Sequence, residues 1–133
     1  MSDPNLPLPT DAELSLLRVL WREGPSTVRH VLDHVDEAGY TTVLKQLQIM
    51  HEKGLVTRDE SSRAHVYAAA VEERATERRL VDDLLDRAFG GSASRLVAHA
   101  ISGDRVSGEE LGAIRELLDS LQSDDADDGI DNQ

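Results

Sequence analysis

The hydrophobic positions at the start of the chain repeat at the spacing of an amphipathic helix. The segment Thr10-Asp-Ala-Glu13 has the pattern of a capping box, in which the Glu13 carboxylate reaches back to the Thr10 amide, so we expect the first helix to begin there. Gly24-Pro25 ends this helix near residue 23. Its apolar side carries Leu14, Leu17, Leu20 and Trp21.

Two further helices are predicted before residue 54. Ser26 or Thr27 caps the second helix, which runs to about residue 35. The third helix covers about residues 41–53, and Gly54 follows it at the position where a left-handed residue commonly ends a helix. The apolar stripes are Val28, Val31, Leu32 and Val35 in the second helix and Val43, Leu44, Leu47 and Met50 in the third.

After Gly54 the pattern changes from helical spacing to short strand-like runs. Residues 55–58 and 65–68 flank a polar turn at 59–63, which predicts a β-hairpin. Three helices followed by a hairpin form the order of a winged helix-turn-helix module. We therefore expect a mainly α fold, in which the hairpin is a small wing.

Past residue 71 the chain is helical again, with broad apolar faces. Gly90-Gly91 and a turn at Gly103 interrupt the pattern, while Ser92 and a second capping box, Ser107-Gly-Glu-Glu110, begin new helices. These short helices cannot cover their own apolar faces, so we expect this C-terminal helical arm to form a homodimer. The predicted dimerisation residues are Leu80, Leu84, Leu85, Phe89, Leu96, Val97, Ile101, Leu111, Ile114, Leu118 and Leu121.

The formal charge of −12 over 133 residues is divided unevenly along the chain. Residues 1–71 carry seven basic and ten acidic side chains, whereas residues 72–133 carry seven and sixteen. Together with the helical pattern, this division predicts four segments. They are an extended leader at 1–9, a winged-helix domain at 10–71, a helical dimerisation domain at 72–121 and a disordered acidic tail at 122–133. The acidity of the whole chain argues against a nucleic-acid partner, but the nearly neutral first part does not.

Composition excludes several other classes of protein. The chain has no cysteine, which rules out a disulfide framework and zinc–sulfur sites. No apolar stretch is long enough for a membrane span or a secretory signal, so we expect a cytoplasmic protein without membrane insertion. The sequence contains no nucleophile elbow, phosphate loop or arranged pair of carboxylates. We therefore predict that it is not an enzyme and that it needs no cofactor.

The third predicted helix has the composition of a DNA-recognition helix. Short polar and basic side chains lie opposite its apolar face, where they can reach base edges in a major groove, and the hairpin adds groups that can contact phosphates. The candidate DNA-binding residues are Tyr40, Thr41, Thr42, Lys45, Gln46, Gln48, Arg58, Arg63 and His65. The alternatives are an ordinary amphipathic surface helix and a solvated hairpin. Ile49 projects to the polar side, where it contacts either a thymine methyl group or a neighbouring helix.

His30 and His34 stand four residues apart, a spacing at which two imidazoles can share a metal ion. Both lie opposite the apolar face of the second helix, and the sequence shows no third ligand. We therefore predict no metal site and expect both side chains to face solvent.

Six separated segments follow one another in a recognisable order. They are Asp11-Ala-Glu-Leu with Val-Leu-Trp21, Gly24-Pro-Ser-Thr-Val-Arg29, Tyr40-Thr-Thr-Val-Leu44, Glu52-Lys-Gly-Leu-Val56, Arg63-Ala-His-Val-Tyr67 and Leu80-Val-Asp-Asp-Leu-Leu-Asp-Arg-Ala-Phe-Gly-Gly91. With these segments the chain resembles the penicillinase-repressor (BlaI/MecI/CopY) family over residues 8–121. The resemblance implies a winged-helix repressor that binds an inverted-repeat operator in double-stranded DNA as a homodimer. It implies that the recognition helix contacts DNA through Tyr40, Thr41, Thr42 and Lys45. For the wing it implies contacts from Arg63 and His65.

The chain departs from that family in two respects. The copper-sensing branch uses cysteines near the C-terminus, and their absence excludes copper sensing by that route. In the antibiotic-sensing branch a protease cuts the arm at an Asn–Phe bond, and His99-Ala100 aligns with that position. The resemblance thus implies an inducing protease or another signal-transducing protein as a partner, without fixing the cleavage site.

Two other functions remain open from the sequence. The first is a winged-helix regulator that binds a small effector directly, which a dry pocket between the winged domain and the arm would favour. The second is a winged-helix protein-interaction module without DNA binding, against which the threonine-rich start of the third helix and the basic hairpin argue.

Overall fold

The computed structural model describes residues 6–36 and 38–131, with side chains as far as residue 124. The elements are α1 (Asp11–Glu23), β1 (Ser26–Thr27), α2 (Val28–Leu32), α3 (Tyr40–Lys53), β2 (Val56–Asp59), β3 (Val66–Ala69), α4 (Glu73–Ala88), α5 (Ala93–Ser102) and α6 (Gly108–Asp131). The chain divides into two units, and the boundary falls between Asp83 and Leu84, within α4.

Helix α1 begins at the predicted capping box. The Glu13 amide donates to the Thr10 hydroxyl over 3.2 Å, and the Thr10 amide donates to the Glu13 carboxylate over 3.0 Å. Gly24 ends the helix with φ at 81°, a conformation that favours glycine. Both ends of α1 therefore confirm the prediction.

Helix α3 ends one residue before Gly54, whose φ is 88°. The amide of Leu55 donates to the carbonyl of Met50 over 2.9 Å, so this amide completes the helix end instead of pairing with a strand. As a result β2 begins at Val56, one residue later than the sequence pattern predicts, and β3 is shifted by one residue in the same direction.

The strands form a three-stranded antiparallel sheet in the order β1-β3-β2. Tyr67 of β3 lies between Ser26 of β1 and Arg58 of β2. The sequence does not predict β1, because two residues are too few to give an alternating pattern. Three helices, this sheet and the β2–β3 hairpin confirm the mainly α winged helix-turn-helix fold.

The core of the first unit is apolar. Trp21 at its edge donates its indole N–H to the Val71 carbonyl over 2.9 Å, which fastens α1 to the end of β3. The buried apolar residues are Leu16, Leu17, Val19, Leu20, Val28, Val31, Val43, Leu47, Met50, Leu55, Val56, Tyr67 and Val71. The predicted apolar stripes of α1, α2 and α3 all contribute to this core.

Helix α2 is shorter than predicted and ends at Leu32 instead of near residue 35. The His34 ring Nδ1 lies 2.8 Å from the His30 carbonyl, the group that the His34 amide would bond to if the helix continued. That amide donates to the Val31 carbonyl instead, over 3.0 Å. The Val35 amide likewise donates to the Leu32 carbonyl, so the chain leaves the helix in tighter i→i−3 turns, and the His34 ring contacts the carbonyl that the helix leaves without an amide partner.

The first unit extends beyond the predicted boundary at residue 71. Thr76 of α4 is buried, and the Arg79 guanidinium donates to the carbonyl of Leu6. Leu6 is itself half-buried against the core, so this part of the predicted leader is in contact with the domain, and residues 6–9 form neither helix nor strand. The first turns of α4 therefore belong with the winged helix.

In the second unit, none of the described side chains, residues 84–124, is buried. Helix α6 continues to Asp131, whereas the charge pattern predicts a disordered tail from residue 122. Extending a helix that has already formed costs little per residue, which explains how an acidic segment can remain helical. Residues 132–133 of the predicted tail lie outside the described residues. None of the described helices combines the length and the apolar character that crossing a membrane requires.

Candidate nucleic-acid interface

Helix α3 separates its buried and exposed side chains as the sequence predicts. Val43, Leu47 and Met50 are buried in the core. The candidate residues exposed on the opposite side are Thr41, Thr42, Lys45 and Gln48, while Tyr40 is exposed at the start of the helix, in the groove that Leu44 also lines. The first four side chains are therefore accessible on the side of the helix away from the core.

Gln46 lies at the edge of that face. It is half-buried, and with Thr42 it lines a shallow cavity of about 190 Å³ that also borders Ala12 and Ser15 of α1. Ile49 is likewise half-buried. Gln46 is thus the least accessible of the candidate residues on α3.

A groove lies between the start of α2, the start of α3 and the hairpin wing. Its volume is about 260 Å³. It is lined by Thr27, Val28, Arg29, Tyr40, Leu44, Arg63, Ala64, His65 and Tyr67. The structure therefore brings Tyr40 of α3 together with Arg63 and His65 of the wing, which the sequence predicts only as separate candidates.

Arg29 is a groove residue that the sequence reasoning missed. Its guanidinium carbon lies 5.5 Å from the centre of the Tyr40 ring, within the range of a cation–π contact. A basic residue in the first turn of α2 is the only signal that the sequence offers, and it does not reveal the pairing with Tyr40. Arg29 adds a positive charge beside the N-terminus of α3.

The charges on the wing are not equally accessible. Glu60 lies 3.3 Å from the Arg58 guanidinium and 3.7 Å from the His65 ring. Arg58 is half-buried, and its Nε is enclosed without a hydrogen-bond partner among the described residues. Arg63 is exposed and belongs to none of the ion pairs between described residues. Arg63 is therefore the most accessible cation of the wing, while Arg58 does not line the groove.

An ion pair between a buried carboxylate and a half-buried lysine joins α3 to α1. The Lys53 ammonium donates to the Glu13 carboxylate over 2.7 Å, and Glu13 is 2% exposed. Burial raises the pKa of Glu13, but hydrogen bonds from Lys53 and Thr10 and the Lys53 charge outweigh burial and hold this pKa below its ordinary value. Because Glu13 and Lys53 are forty positions apart, the sequence pattern does not predict this contact between α1 and α3.

A family model and two curated relatives point to the same family. Residues 9–120 match the family model described as penicillinase repressor. The transcriptional regulator BlaI of Mycobacterium tuberculosis is 31% identical over 118 residues, which cover 85% of this chain and 84% of that protein. The penicillinase repressor of Bacillus licheniformis is 22% identical over 117 residues, which cover 86% of this chain and 91% of that protein.

A solved structure is also similar. It is the solution structure of monomeric Bacillus licheniformis BlaI in complex with the blaP half-operator. The match covers 52% of this chain and 88% of that chain, with 24% identity and a TM-score of 0.45.

The matched family consists of repressors, which confirms the expectation that the chain is not an enzyme. On the extent of the family match and of the Mycobacterium relative, the chain belongs to the penicillinase repressor family.

Proposed function

We propose that this protein is a DNA-binding transcriptional repressor that acts as a homodimer on an inverted-repeat operator. The observation that carries the proposal is the exposed polar face of α3 beside a groove lined by Arg29, Arg63 and His65. Family membership supports the same function.

In this proposal α3 enters the major groove. Thr41, Lys45 and Gln48 are spaced by about one and two helical turns, so their side chains point to the same side. Hydroxyl, ammonium and amide groups can all contact base edges or phosphates there. Gly39 supplies no side chain to cap the first amides of α3, which leaves these amides free to bind a phosphate.

The groove beside α3 serves as the phosphate contact. Arg29 lies against Tyr40, and Arg63, which is exposed, lines the same groove. Two cations that line one groove suit the DNA backbone, contacts to which fix position without specifying sequence. We assign Arg29, Arg63 and His65 to phosphates and leave sequence recognition to α3.

The helical arm supplies the dimer interface. Leu84, Val97, Ile101, Leu111, Leu118 and Leu121 are each at least 38% exposed within one chain. The half-buried members of the predicted set are Leu80, Leu85, Phe89, Leu96 and Ile114. A second copy would cover these faces, and its two-fold symmetry would match an inverted repeat with half-sites about one helical turn, or a multiple, apart.

Selection from a random-sequence DNA duplex library tests the proposal. The full chain should enrich an inverted repeat whose half-site centres are separated by about 10 base pairs or a multiple. Arg18→Ala on the exposed side of α1 is the matched control, because it removes a positive charge outside the groove. The control should enrich the same repeat as the unmodified chain. Enrichment of no motif, or of a motif without two-fold symmetry, would overturn the proposal.

The dimer assignment has a separate test. Leu118→Asp places a charge on the exposed apolar face of α6 and should give monomers by sedimentation, with operator affinity at least about a hundredfold lower. Glu116→Gln on the same helix should leave the dimer intact. A Leu118→Asp protein that sediments as a dimer would remove this face from the interface.

We also propose an inducing protease or another signal-transducing protein as the partner that releases the repressor. His99 and Ala100, which align with the family's cleavage position, are both exposed on α5. Mass spectrometry of the protein from induced cells tests this partner. A fragment that ends in α5 supports proteolysis there, whereas an intact chain under inducing conditions excludes it.

A further inference from the structure

Three metal-ligating side chains converge on the far side of α2 from the core. Glu23 ends α1, His30 belongs to α2, and His34 lies in the turn that follows α2. Their potential ligand atoms all lie within 4.8 Å of one another. Glu23 is the third ligand that the sequence does not reveal, because it lies seven residues before His30 on a different helix.

The two distances from the Glu23 carboxylate to the imidazoles are close to those of a coordination shell. Glu23 Oε1 lies 3.0 Å from His30 Nε2 and 3.5 Å from His34 Nε2. Two ligands that each bind a tetrahedral metal ion at about 2.0–2.1 Å are about 3.3 Å apart. The two carboxylate–imidazole separations bracket this value, and the ligand atoms of the two imidazoles, which lie within 4.8 Å of each other, would adjust to bind one ion.

The hydrogen bond of His34 determines which nitrogen of its ring carries the proton. The carbonyl of His30 can only accept, so His34 Nδ1 carries the proton in their 2.8 Å contact. In the neutral ring Nε2 then carries the lone pair, and this atom faces Glu23. Ligating histidines commonly donate their second ring N–H to a backbone carbonyl in this way.

The Glu23 carboxylate has one oxygen committed elsewhere. Its Oε2 accepts from the Arg22 guanidinium over 3.3 Å, whereas Oε1 faces both histidines. Arg22 is 59% exposed at its side chain, so its charge is largely screened by solvent. The geometry thus favours a monodentate carboxylate with two imidazoles.

We propose that Glu23, His30 and His34 form a binding site for a divalent transition-metal ion of the Zn²⁺ class. Two imidazoles and a carboxylate suit Zn²⁺, and water completes the shell. The ion joins the end of α1 to α2, and α2 also presents Arg29 to the groove. The site lies outside the groove, so it stands independently of the proposed function.

Titration of the full chain without a histidine tag tests the site. Zn²⁺ in competition with a chromophoric indicator should show one bound equivalent, and Co²⁺ should give the visible absorption of a four- or five-coordinate ion. Glu23→Gln and His34→Gln should each weaken Zn²⁺ binding by about tenfold or more. His99→Gln removes an exposed histidine from α5 and should leave binding unchanged.

Circular dichroism checks that the substitutions change metal binding without unfolding the protein. Each variant should retain the helical spectrum of the unmodified chain, because the three side chains are exposed and leave the core intact. Zn²⁺ should also raise the melting temperature of the unmodified chain but not of Glu23→Gln. Equal Zn²⁺ affinity in all four proteins, or no binding by the unmodified chain, would show an ordinary hydrogen-bonded cluster and overturn the proposal.

Discussion

The two units of this chain use the same kind of amphipathic helix with opposite results. In the first unit the apolar stripes meet in a buried core, and Leu17, Val31 and Leu47 are completely enclosed. In the second unit the stripes have no such core, since none of the described side chains between residues 84 and 124 is buried. The comparison teaches that the first unit buries its apolar stripes within one chain, whereas the arm leaves them exposed to be covered by the second copy that we propose.

The strongest contrast is expected from leucine truncations in the two units. Leu47→Ala should lower the free energy of unfolding by about 2–5 kcal/mol at any protein concentration, because it opens a cavity in the core. Leu121→Ala, at a position 53% exposed, should cost less than about 0.5 kcal/mol when the chain is dilute and monomeric. Its cost should grow as the protein concentration rises and dimers form.

Urea unfolding at several protein concentrations measures both losses. A concentration-dependent loss for Leu47→Ala, or a large loss for Leu121→Ala in the dilute monomer, would erase the distinction between the units.

The ion pair between Glu13 and Lys53 should make the stability of the first unit depend on pH. Glu13→Gln preserves the shape of the capping box but removes the charge that Lys53 contacts, so it should cost about 1–3 kcal/mol near neutral pH. Because folding lowers the pKa of Glu13, the ionised carboxylate stabilises the fold above its unfolded pKa. This contribution is lost as the pH falls through the folded pKa.

Urea unfolding measures this for the original chain, Glu13→Gln and the exposed control Glu52→Gln. The difference in free energy of unfolding between the original chain and Glu13→Gln should shrink as the pH falls. A difference that stays constant across this pH range, or an equal loss in Glu52→Gln, would exclude the ion pair as the cause of the difference.

The affinity for DNA should depend on individual exposed residues of the first unit, such as Lys45. Lys45→Ala should weaken operator binding by about tenfold and reduce the salt slope by about one if Lys45 contacts a phosphate. Fluorescence anisotropy at several salt concentrations, with the duplex that the library selects, measures both quantities. Arg18→Ala should change neither, and an unaltered affinity and slope for Lys45→Ala would remove this residue from the interface.

The acidic C-terminal segment should have the smallest effect. Removal of residues 122–133 deletes five aspartates and should raise non-specific DNA binding a few-fold at low salt, since repulsion of the phosphates falls. Operator binding should rise less, because contacts of α3 contribute most of it. An equal rise for both kinds of DNA would limit the segment to a role in solubility.

Local rules were sufficient where an element is determined by neighbouring residues. The capping box at Thr10, the glycine that ends α3 and the apolar stripe of α3 are all short-range signals, and each appears as predicted. The order of three helices and a hairpin then limits the fold to a winged helix. The separation of α3 into a core face and a polar face follows from the same periodicity.

Contacts between distant residues were beyond the sequence pattern. Arg29 meets Tyr40, and Glu23 meets His30, only after α1, α2 and α3 have packed around one core. Arg58 is a candidate that the fold makes less accessible. Its position on the hairpin predicts an exposed side chain, but in the sheet it lies opposite Tyr67 and is half-buried. Tertiary packing thus decides which of several polar residues form a site.

The stoichiometry of the DNA complex tests the central claim most directly. Sedimentation equilibrium of the full chain with the selected inverted-repeat duplex should give two chains per duplex. A duplex that carries one half-site should bind with markedly lower affinity, because the arms then add no second contact. One chain bound to the complete repeat, with the same affinity as for the half-site, would contradict a homodimeric repressor.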